Sequence, residues 1–257
     1  PGVRDEAVGE LVDIGDPAVD QLIGALRDYD MRVVSGAAEA LSLMGATEAA
    51  RPMAQLLADE KAWYEAVENL HYLGDAGLVA ATDMFLRPST QKAGQHAALA
   101  LGRFGLEGVQ VLLVEGILQS DDTRILADAC RGLQLAISAK GPQILPDEFV
   151  AVAERELARV LLEEPLEVKV WAVRALGELK QDRSMAPVME AIRHFHQLLE
   201  DEHVVGRQRA RAEWGLQGAL TALGQIGGPE ALEVLVAHLQ HDDPDVVTWA
   251  AYGLGYL

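Results

Sequence analysis

The chain has 257 residues, of which 50% are hydrophobic and only 5% aromatic, so it has enough apolar side chains for a large core and is not a disordered chain. Its 40 acidic and 21 basic residues give a formal net charge of −19, which opposes binding to duplex nucleic acid and to anionic membrane surfaces. The apolar weight lies in Ala, Leu and Val, which favours packed helices, and no uncharged apolar run reaches the roughly 18 residues of a membrane span.

One short phrase, Ala-Leu-Gly-x-apolar-Gly, recurs along the chain with a period of about 30 residues, which is the length of a helical repeat unit. A partial copy opens the chain, a degenerate copy lies in its middle, and another copy ends it. The leucines of the phrase are Leu11, Leu41, Leu70, Leu101, Leu133, Leu176, Leu223 and Leu254. This recurrence predicts seven to eight helical pairs and no β-sheet.

The spacing within each copy predicts a helix with one buried face. Val33, Ala37 and Leu41 lie four residues apart, which places them on the same side of a helix. An acidic turn precedes this helix and supplies N-cap oxygens, and a glycine after it favours its end. A second helix follows, as at 17–26 and 229–239. Each unit is therefore a helical hairpin, which has to stack on its neighbours to bury its apolar face.

The regular period is interrupted at about 138–215. Helices are predicted there at about 147–162, 185–199 and 203–226. We expect the whole of 1–257 to be a single repeat array and part of a longer solenoid. The insertions fit either a partner-binding face or neutral variation in length.

These units resemble the bacterial HEAT repeats that are called phycobilisome-lyase-like. The resemblance covers nearly the whole chain and implies an all-α fold, a right-handed α-solenoid or superhelix of HEAT-like hairpins. Units of that group usually carry Arg directly after the apolar residue that starts the first helix. The matching positions here are Val34, Trp63, Gly94, Leu126, Lys169 and Val247. Only Lys169 is basic, so the Asp–Arg ladder of the group is not expected to link these units.

No residues for a catalytic or metal site emerge. His194, His196 and His203 have spacings that spread them around a helix, whereas helical metal ligands are three or four residues apart. HEAT-like deoxyhypusine hydroxylases bind iron through His-Glu pairs, and no His-Glu dipeptide occurs here. Cys130 is expected to be a buried core residue. We therefore expect a non-catalytic scaffold or adaptor without cofactor or metal; a bilin lyase or lyase subunit is the alternative that the resemblance implies.

Partner binding is expected on the concave face that the second helices build. The side chains predicted to point away from the core on those helices are Gln21, Gln55, His194, Gln197 and His238. Arg207 and Arg211 belong to the only basic cluster and are added to this set. Trp171 and Trp249 occupy the same repeat position and fit either packing between units or an exposed anchor for a partner.

The acidic turns are expected to align along one edge of the stacked units. Their residues are Asp28, Asp30, Asp121, Asp122, Glu163, Glu164, Asp242 and Asp243. Such an edge would steer a basic protein partner, although acids that only cap helices and keep the array soluble give the same pattern. The sequence starts without the features of a signal peptide, so we expect a cytoplasmic protein. Because of its negative charge, we expect it to bind neither nucleic acid nor membrane.

Overall fold

A computed structural model describes residues 3–257, with side chains from residue 5 onward. No strand occurs in this part of the chain, and the predicted all-α fold of HEAT-like hairpins is confirmed. None of the described helices has the length and apolar character needed to span a membrane. Residues 1 and 2, which belong to the start examined for a signal peptide, lie outside the described residues.

The chain forms two compact units, residues 1–112 and 113–257. Short 3₁₀ turns lead into several of the helices, and a π-helical stretch, Leu112–Leu118, follows the last helix of the first unit. The helices of the first unit are α1 (Val3–Ile14), α2 (Val19–Ala25), α3 (Met31–Leu43), α4 (Ala50–Gln55), α5 (Trp63–Asn69), α6 (Gly74–Leu86), α7 (Gln91–Arg103) and α8 (Leu106–Val111).

The second unit contains the longest helices of the chain, in the region where the sequence repeat is irregular. Its helices are α9 (Thr123–Lys140), α10 (Asp147–Glu163), α11 (Leu166–Leu179), α12 (Met185–Glu200), α13 (Gly206–Ile226), α14 (Pro229–His238) and α15 (Pro244–Leu254). Helices α1 to α14 form seven consecutive hairpins, and α15 begins an eighth, as the spacing of the repeat leucines predicts. The single array expected over 1–257 and its right-handed course stay predictions.

In each unit the first helices of successive hairpins pack side by side. Helices α1, α3, α5 and α7 contact one another in order, and so do α9, α11, α13 and α15. The repeat leucines lie at the centre of these contacts. Those with no exposed surface are Leu41, Leu70, Leu101, Leu133, Leu176 and Leu223. Full burial of a leucine side chain is worth about 2 kcal/mol, so the repeat phrase identifies the residues that hold the hairpins together.

One face of α3 differs from the sequence prediction. Val33 was expected to share the buried face with Ala37 and Leu41, but its side chain is 42% exposed, whereas Val34 is 2% exposed. The difference arises because Val33 lies beside an open groove between α1, α2 and α3. Val34 is buried instead. Cys130 is fully buried, as expected.

Glycines end the first helices, as the repeat phrase predicts. Gly45, Gly105 and Gly227 have φ values of 63°, 72° and 83°, a conformation that glycine adopts without the steric cost of a Cβ. Lys180 takes the same role after α11 with φ 54°, as the only non-glycine residue of positive φ in the described part. The helix predicted from His203 begins instead at Gly206, because Val205 is extended and Asp201 caps the preceding turn through the His203 N–H.

Ion pairs link neighbouring first helices at positions other than those of the family ladder. Arg103 of α7 binds Glu68 of α5, and Arg211 of α13 binds Glu167 of α11. These side chains are partly exposed, so each pair contributes little, on the order of 0–1 kcal/mol. Packing of the apolar side chains therefore provides most of the cohesion, as the loss of the Arg positions implied.

Candidate protein-binding surfaces

Three of the predicted acidic-edge residues act as helix N-caps. Asp30, Asp122 and Asp243 each accept a hydrogen bond of 2.9 Å from the backbone N–H two residues later, at the starts of α3, α9 and α15. An N-cap carboxylate satisfies a backbone donor that has no partner within the helix. These three acids therefore have a local structural role.

The charge of several edge acids is also neutralised locally. The Arg32 guanidinium lies 2.6 Å from Asp30, and that of Arg124 lies 2.7 Å from Asp122. These hydrogen bonds lower the pKa of both carboxyl groups to about 2.

At the end of α10, Arg159 is 3.7 Å from Glu163 and 3.5 Å from Glu164. The field of the acidic edge is therefore weaker than a count of acids predicts. Exposed carboxylates remain at Asp28, Asp121 and Asp242. Alignment of the turns along one edge stays a prediction.

The first unit contains a groove of about 570 Å³ between the turn after α2 and the turn after α4. We call it the acidic-turn groove. Its lining residues are Leu26, Arg27, Asp28, Tyr29, Met31, Val34, Pro52, Gln55, Leu56, Asp59, Glu60, Lys61 and Ala62. Two residues predicted separately, Gln55 on α4 and Asp28 in the acidic turn, thus meet at one site. Asp59 is held in place because it accepts hydrogen bonds of 2.8 Å from the N–H groups of Lys61 and Ala62.

Tyr29 is the most exposed large hydrophobic side chain of this groove, with 97% of its surface open. It sits in the turn between α2 and α3, next to Asp28, whose carboxylate accepts the N–H of Asp30. No feature of the repeat requires an aromatic residue at this point. Sequence reasoning missed Tyr29, although a lone tyrosine within an acidic turn was a visible signal.

Gln21 lies elsewhere in the first unit. It is exposed and lines the groove of about 660 Å³ between α1, α2 and α3, whose walls are mostly Ala, Val and Leu side chains. Gln21 and Gln55 therefore belong to different grooves. Their expected exposure is observed, and their role in partner binding stays a prediction.

In the second unit, Gln197 is exposed while His194 and His238 are half-buried. Burial lowers the pKa of His194, with a smaller contribution from the positive charge of Lys169. The placement of His238 away from the core and toward a partner stays a prediction; its ring contacts another histidine. Its Nε2 lies 3.1 Å from Nε2 of His196 on α12.

A third histidine completes this cluster. The His241 ring lies 5.4 Å from the His196 ring. The Nδ1–H of His238 donates to the Val234 carbonyl at 2.7 Å, so Nε2 of His238 is the acceptor and His196 is the donor between them. Burial, followed by the charges of His238 and His241, lowers the pKa of His196.

The three histidines come from α12, from α14 and from the turn after α14. Spacing within a single helix therefore does not reveal the cluster. In residues 5–257 no group of three or more His, Cys, Asp or Glu side chains has the arrangement of a metal site.

Arg207 and Arg211 line a shallow groove of about 540 Å³ at the start of α13, which we call the Trp–Arg groove. Its lining residues are Arg207, Ala210, Arg211, Glu213, Trp214, Gln217 and Trp249. The neighbouring Arg209 does not join it, because Arg209 lies 3.3 Å from Glu213 and donates to the Leu199 carbonyl. The two arginines selected from sequence therefore meet Trp249, which was selected for a separate reason, and Trp214.

Comparisons with known proteins agree with this architecture. The family model described as HEAT repeats matches residues 1–71 and 154–255, which is more than half of the chain. None of the curated proteins compared with the chain matches it.

Three solved structures are similar in fold only. An engineered protein is 21% identical with a TM-score of 0.45, over 93% of this chain and 95% of that one. Human deoxyhypusine hydroxylase is 17% identical with a TM-score of 0.39, over 98% and 88%. YibA of Escherichia coli is 15% identical with a TM-score of 0.35, over 99% and 97%. At these levels they carry no argument about function. The family match, the buried repeat leucines and the stacked hairpins together establish that this chain belongs to the HEAT-repeat family.

Proposed function

We propose that this protein is a non-catalytic scaffold or adaptor that binds a basic, partly apolar segment of another protein in the acidic-turn groove. HEAT repeats generally mediate interactions between proteins. The observation that carries the proposal is the position of Tyr29, which is 97% exposed beside a groove of about 570 Å³. A groove of that size accommodates a few side chains of an extended segment.

The chemistry of the groove supports a partner with both apolar and basic side chains. Met31 and the largely buried Leu26 and Leu56 form the apolar part of the lining. Asp28 and Glu60 add exposed carboxylates, of which Glu60 lies 3.8 Å from Lys92. An exposed tyrosine ring can also stack against a Lys or Arg side chain, a contact worth about 0.5–1 kcal/mol at a solvent-facing site. The net charge of −19 adds a long-range field that speeds the approach of a basic partner and weakens with salt.

The test uses the full chain and a labelled octapeptide of alternating Lys and Leu. One variant carries Asp28→Asn with Glu60→Lys; the matched control carries Glu230→Gln with Glu233→Lys on exposed positions of α14. Both raise the net charge equally, so only the local contribution differs. We expect the groove variant to weaken binding by about fivefold or more and the control by less than about twofold. Equal weakening in both would reduce the effect to net charge and refute the proposed site.

The proposal includes membership of the phycobilisome-lyase-like group of HEAT repeats, for which the repeat phrase is the support. The activity of that group offers the competing function. A titration of the full chain with free bilin, followed by absorbance, distinguishes the two. Tight, saturable bilin binding together with transfer to an acceptor protein would replace the scaffold proposal.

A further inference from the structure

The Trp–Arg groove in the second unit differs in chemistry from the acidic-turn groove. Two indole rings, those of Trp214 and Trp249, border it, and Arg207 and Arg211 stand at its edge. Trp214 is 40% exposed. Tryptophan and arginine are both among the residue types enriched at the hot spots of protein interfaces.

The ring of Trp214 is held in position before any partner arrives. The Arg174 guanidinium lies over it at 4.8 Å, and the Trp171 ring meets it edge-on at 4.7 Å. The Arg131 guanidinium lies over the Trp171 ring, 5.1 Å from its centre. A side chain fixed in this way loses little conformational entropy on binding, which favours affinity.

The lining of the groove carries two arginines against one glutamate, a positive balance within an acidic chain. Arg207 is exposed, and no ion pair to it occurs among residues 5–257. Glu213 is neutralised by Arg209 at 3.3 Å, and Arg211 is paired with Glu167. Arg174 has no carboxylate partner in the described part and instead donates to the Trp214 carbonyl and to Gln217. Within a protein of net charge −19, this is a local excess of positive charge on an aromatic surface.

We propose that the Trp–Arg groove binds a short acidic segment of a partner protein that carries one bulky apolar side chain. The apolar side chain packs against Trp214 and Trp249. A neighbouring carboxylate forms a two-pronged ion pair with Arg207, which Arg makes more specifically than Lys because its donors are planar. This second surface is independent of the acidic-turn groove, so the chain presents two sites of opposite preference in its two units.

The test uses a labelled octapeptide that has a central Leu-Phe pair flanked by Asp and Glu. Its binding to the full chain is measured by fluorescence anisotropy. Arg207→Glu is the groove variant. Arg193→Glu, at an exposed position of α12, is the control with the same change of charge. We expect Arg207→Glu to weaken binding by about tenfold, Arg193→Glu by less than about twofold, and replacement of the Leu-Phe pair by Ser-Ser to weaken it by about fivefold or more. Because Arg207 is exposed, its variant is expected to fold normally, which circular dichroism verifies.

Four outcomes would overturn this assignment. The first is equal weakening by both variants, and the second is an unchanged affinity for the Ser-Ser peptide. The third is tighter binding of single-stranded oligothymidylate than of the peptide, with displacement of the peptide, since aromatic and basic side chains can also stack nucleobases. Absence of binding by the original chain at millimolar peptide also contradicts the proposal.

Discussion

Arg174 contacts Trp214 in two ways at once: its guanidinium lies 4.8 Å above the indole ring, and its Nη2 donates to the Trp214 backbone carbonyl at 3.2 Å. These contacts join α11 to α13 and fix the orientation of the ring. The residues are 40 positions apart in the sequence, so the relationship exists only because first helices of adjacent hairpins stack. One arginine therefore contributes both to the packing of the second unit and to the shape of the Trp–Arg groove.

Replacing Arg174 by Ala tests this double role. Burial lowers the pKa of Arg174, and the substitution removes the cation–π contact and two hydrogen bonds. We expect the second unit to lose about 1–2 kcal/mol of stability. Trp214 should also become more mobile, with a red shift and lower anisotropy of tryptophan emission. Arg193→Ala, at an exposed position of α12, is the control. Similar losses of stability in both variants would contradict the role assigned to Arg174.

A second prediction concerns the close approach of α13 and α15. A Cβ on Gly224 would overlap the carbonyl oxygen of Gly253, and backbone atoms cannot move aside cheaply. We expect Gly224→Ala to destabilise the second unit by about 3 kcal/mol, at the upper end of the usual cost of overpacking. Gly24→Ala in α2 meets nothing within 4 Å and should be neutral or stabilising by up to about 1 kcal/mol. Urea unfolding followed by circular dichroism measures both, and a neutral Gly224→Ala would show that the helices are not this close.

A third prediction concerns Asp128, a buried acid on α9. Burial raises the pKa of Asp128 to about 7, against the smaller opposing effect of Arg131. The folded state therefore binds a proton more tightly than the unfolded chain, whose Asp has a pKa of about 3.9. The contribution of this group to stability is complete below about pH 4 and is lost as the pH rises through about 7.

Asp128→Asn should remove that dependence. Relative to the variant, the original protein should become less stable between about pH 4 and pH 7. Thermal unfolding at several pH values measures the difference, and Asp121→Asn, at an exposed position, is the control. A difference that does not change with pH would show that Asp128 titrates as an exposed carboxyl group.

A fourth prediction has the opposite sign and concerns the histidine cluster. Burial first, and then the charges of His238 and His241, lower the pKa of His196, while Glu200 acts against them. The unfolded chain therefore takes up a proton more readily, with a His pKa of about 6.5, so stability is lost as the pH falls below that value. The pocket beside the cluster also contains Arg209, Glu213, Asp243 and Asp245.

His196→Gln should make the second unit less sensitive to mild acid. We expect the gap in melting temperature between variant and original protein to widen in favour of the variant as the pH falls from about 7 to about 5. His203→Gln, at an exposed position in the loop before α13, should leave the acid sensitivity unchanged. Equal behaviour of the two variants would mean that the His196–His238 contact has no influence on stability.

The fold could be predicted from the sequence because its signal is local and repeated. Leu41, Leu101 and Leu223 are fully buried, and their spacing alone identifies the stacked face. Val33 was placed on that face wrongly, because helical periodicity does not distinguish Val33 from Val34 without knowledge of the neighbouring groove. Spacing along the sequence predicts the burial of a side chain where its own helix determines that burial. It does not predict burial where several helices meet.

The candidate surfaces were predicted only in part. Gln55 and Asp28 were selected for separate reasons and line the same groove, and Arg207 and Arg211 were selected without Trp214. The His196–His238 contact spans 42 positions, so spacing within one helix does not reveal it. Asp30 and Asp122 pair with Arg32 and Arg124, which follow them two residues later. The family pattern places its Arg elsewhere, at the positions of Val34 and Leu126, so it did not indicate these pairs.

The most direct test of the proposed scaffold function is site-specific photo-crosslinking in the native host. A photoreactive phenylalanine derivative replaces Tyr29 at the acidic-turn groove or, as a control, Tyr72, which is 59% exposed in the turn between α5 and α6 and does not line that groove. We predict that position 29 yields a discrete adduct with another protein, that Asp28→Asn with Glu60→Lys abolishes this adduct, and that position 72 yields none. The absence of an adduct at position 29, or the same adducts from both positions, would contradict the claim that this groove binds a protein partner.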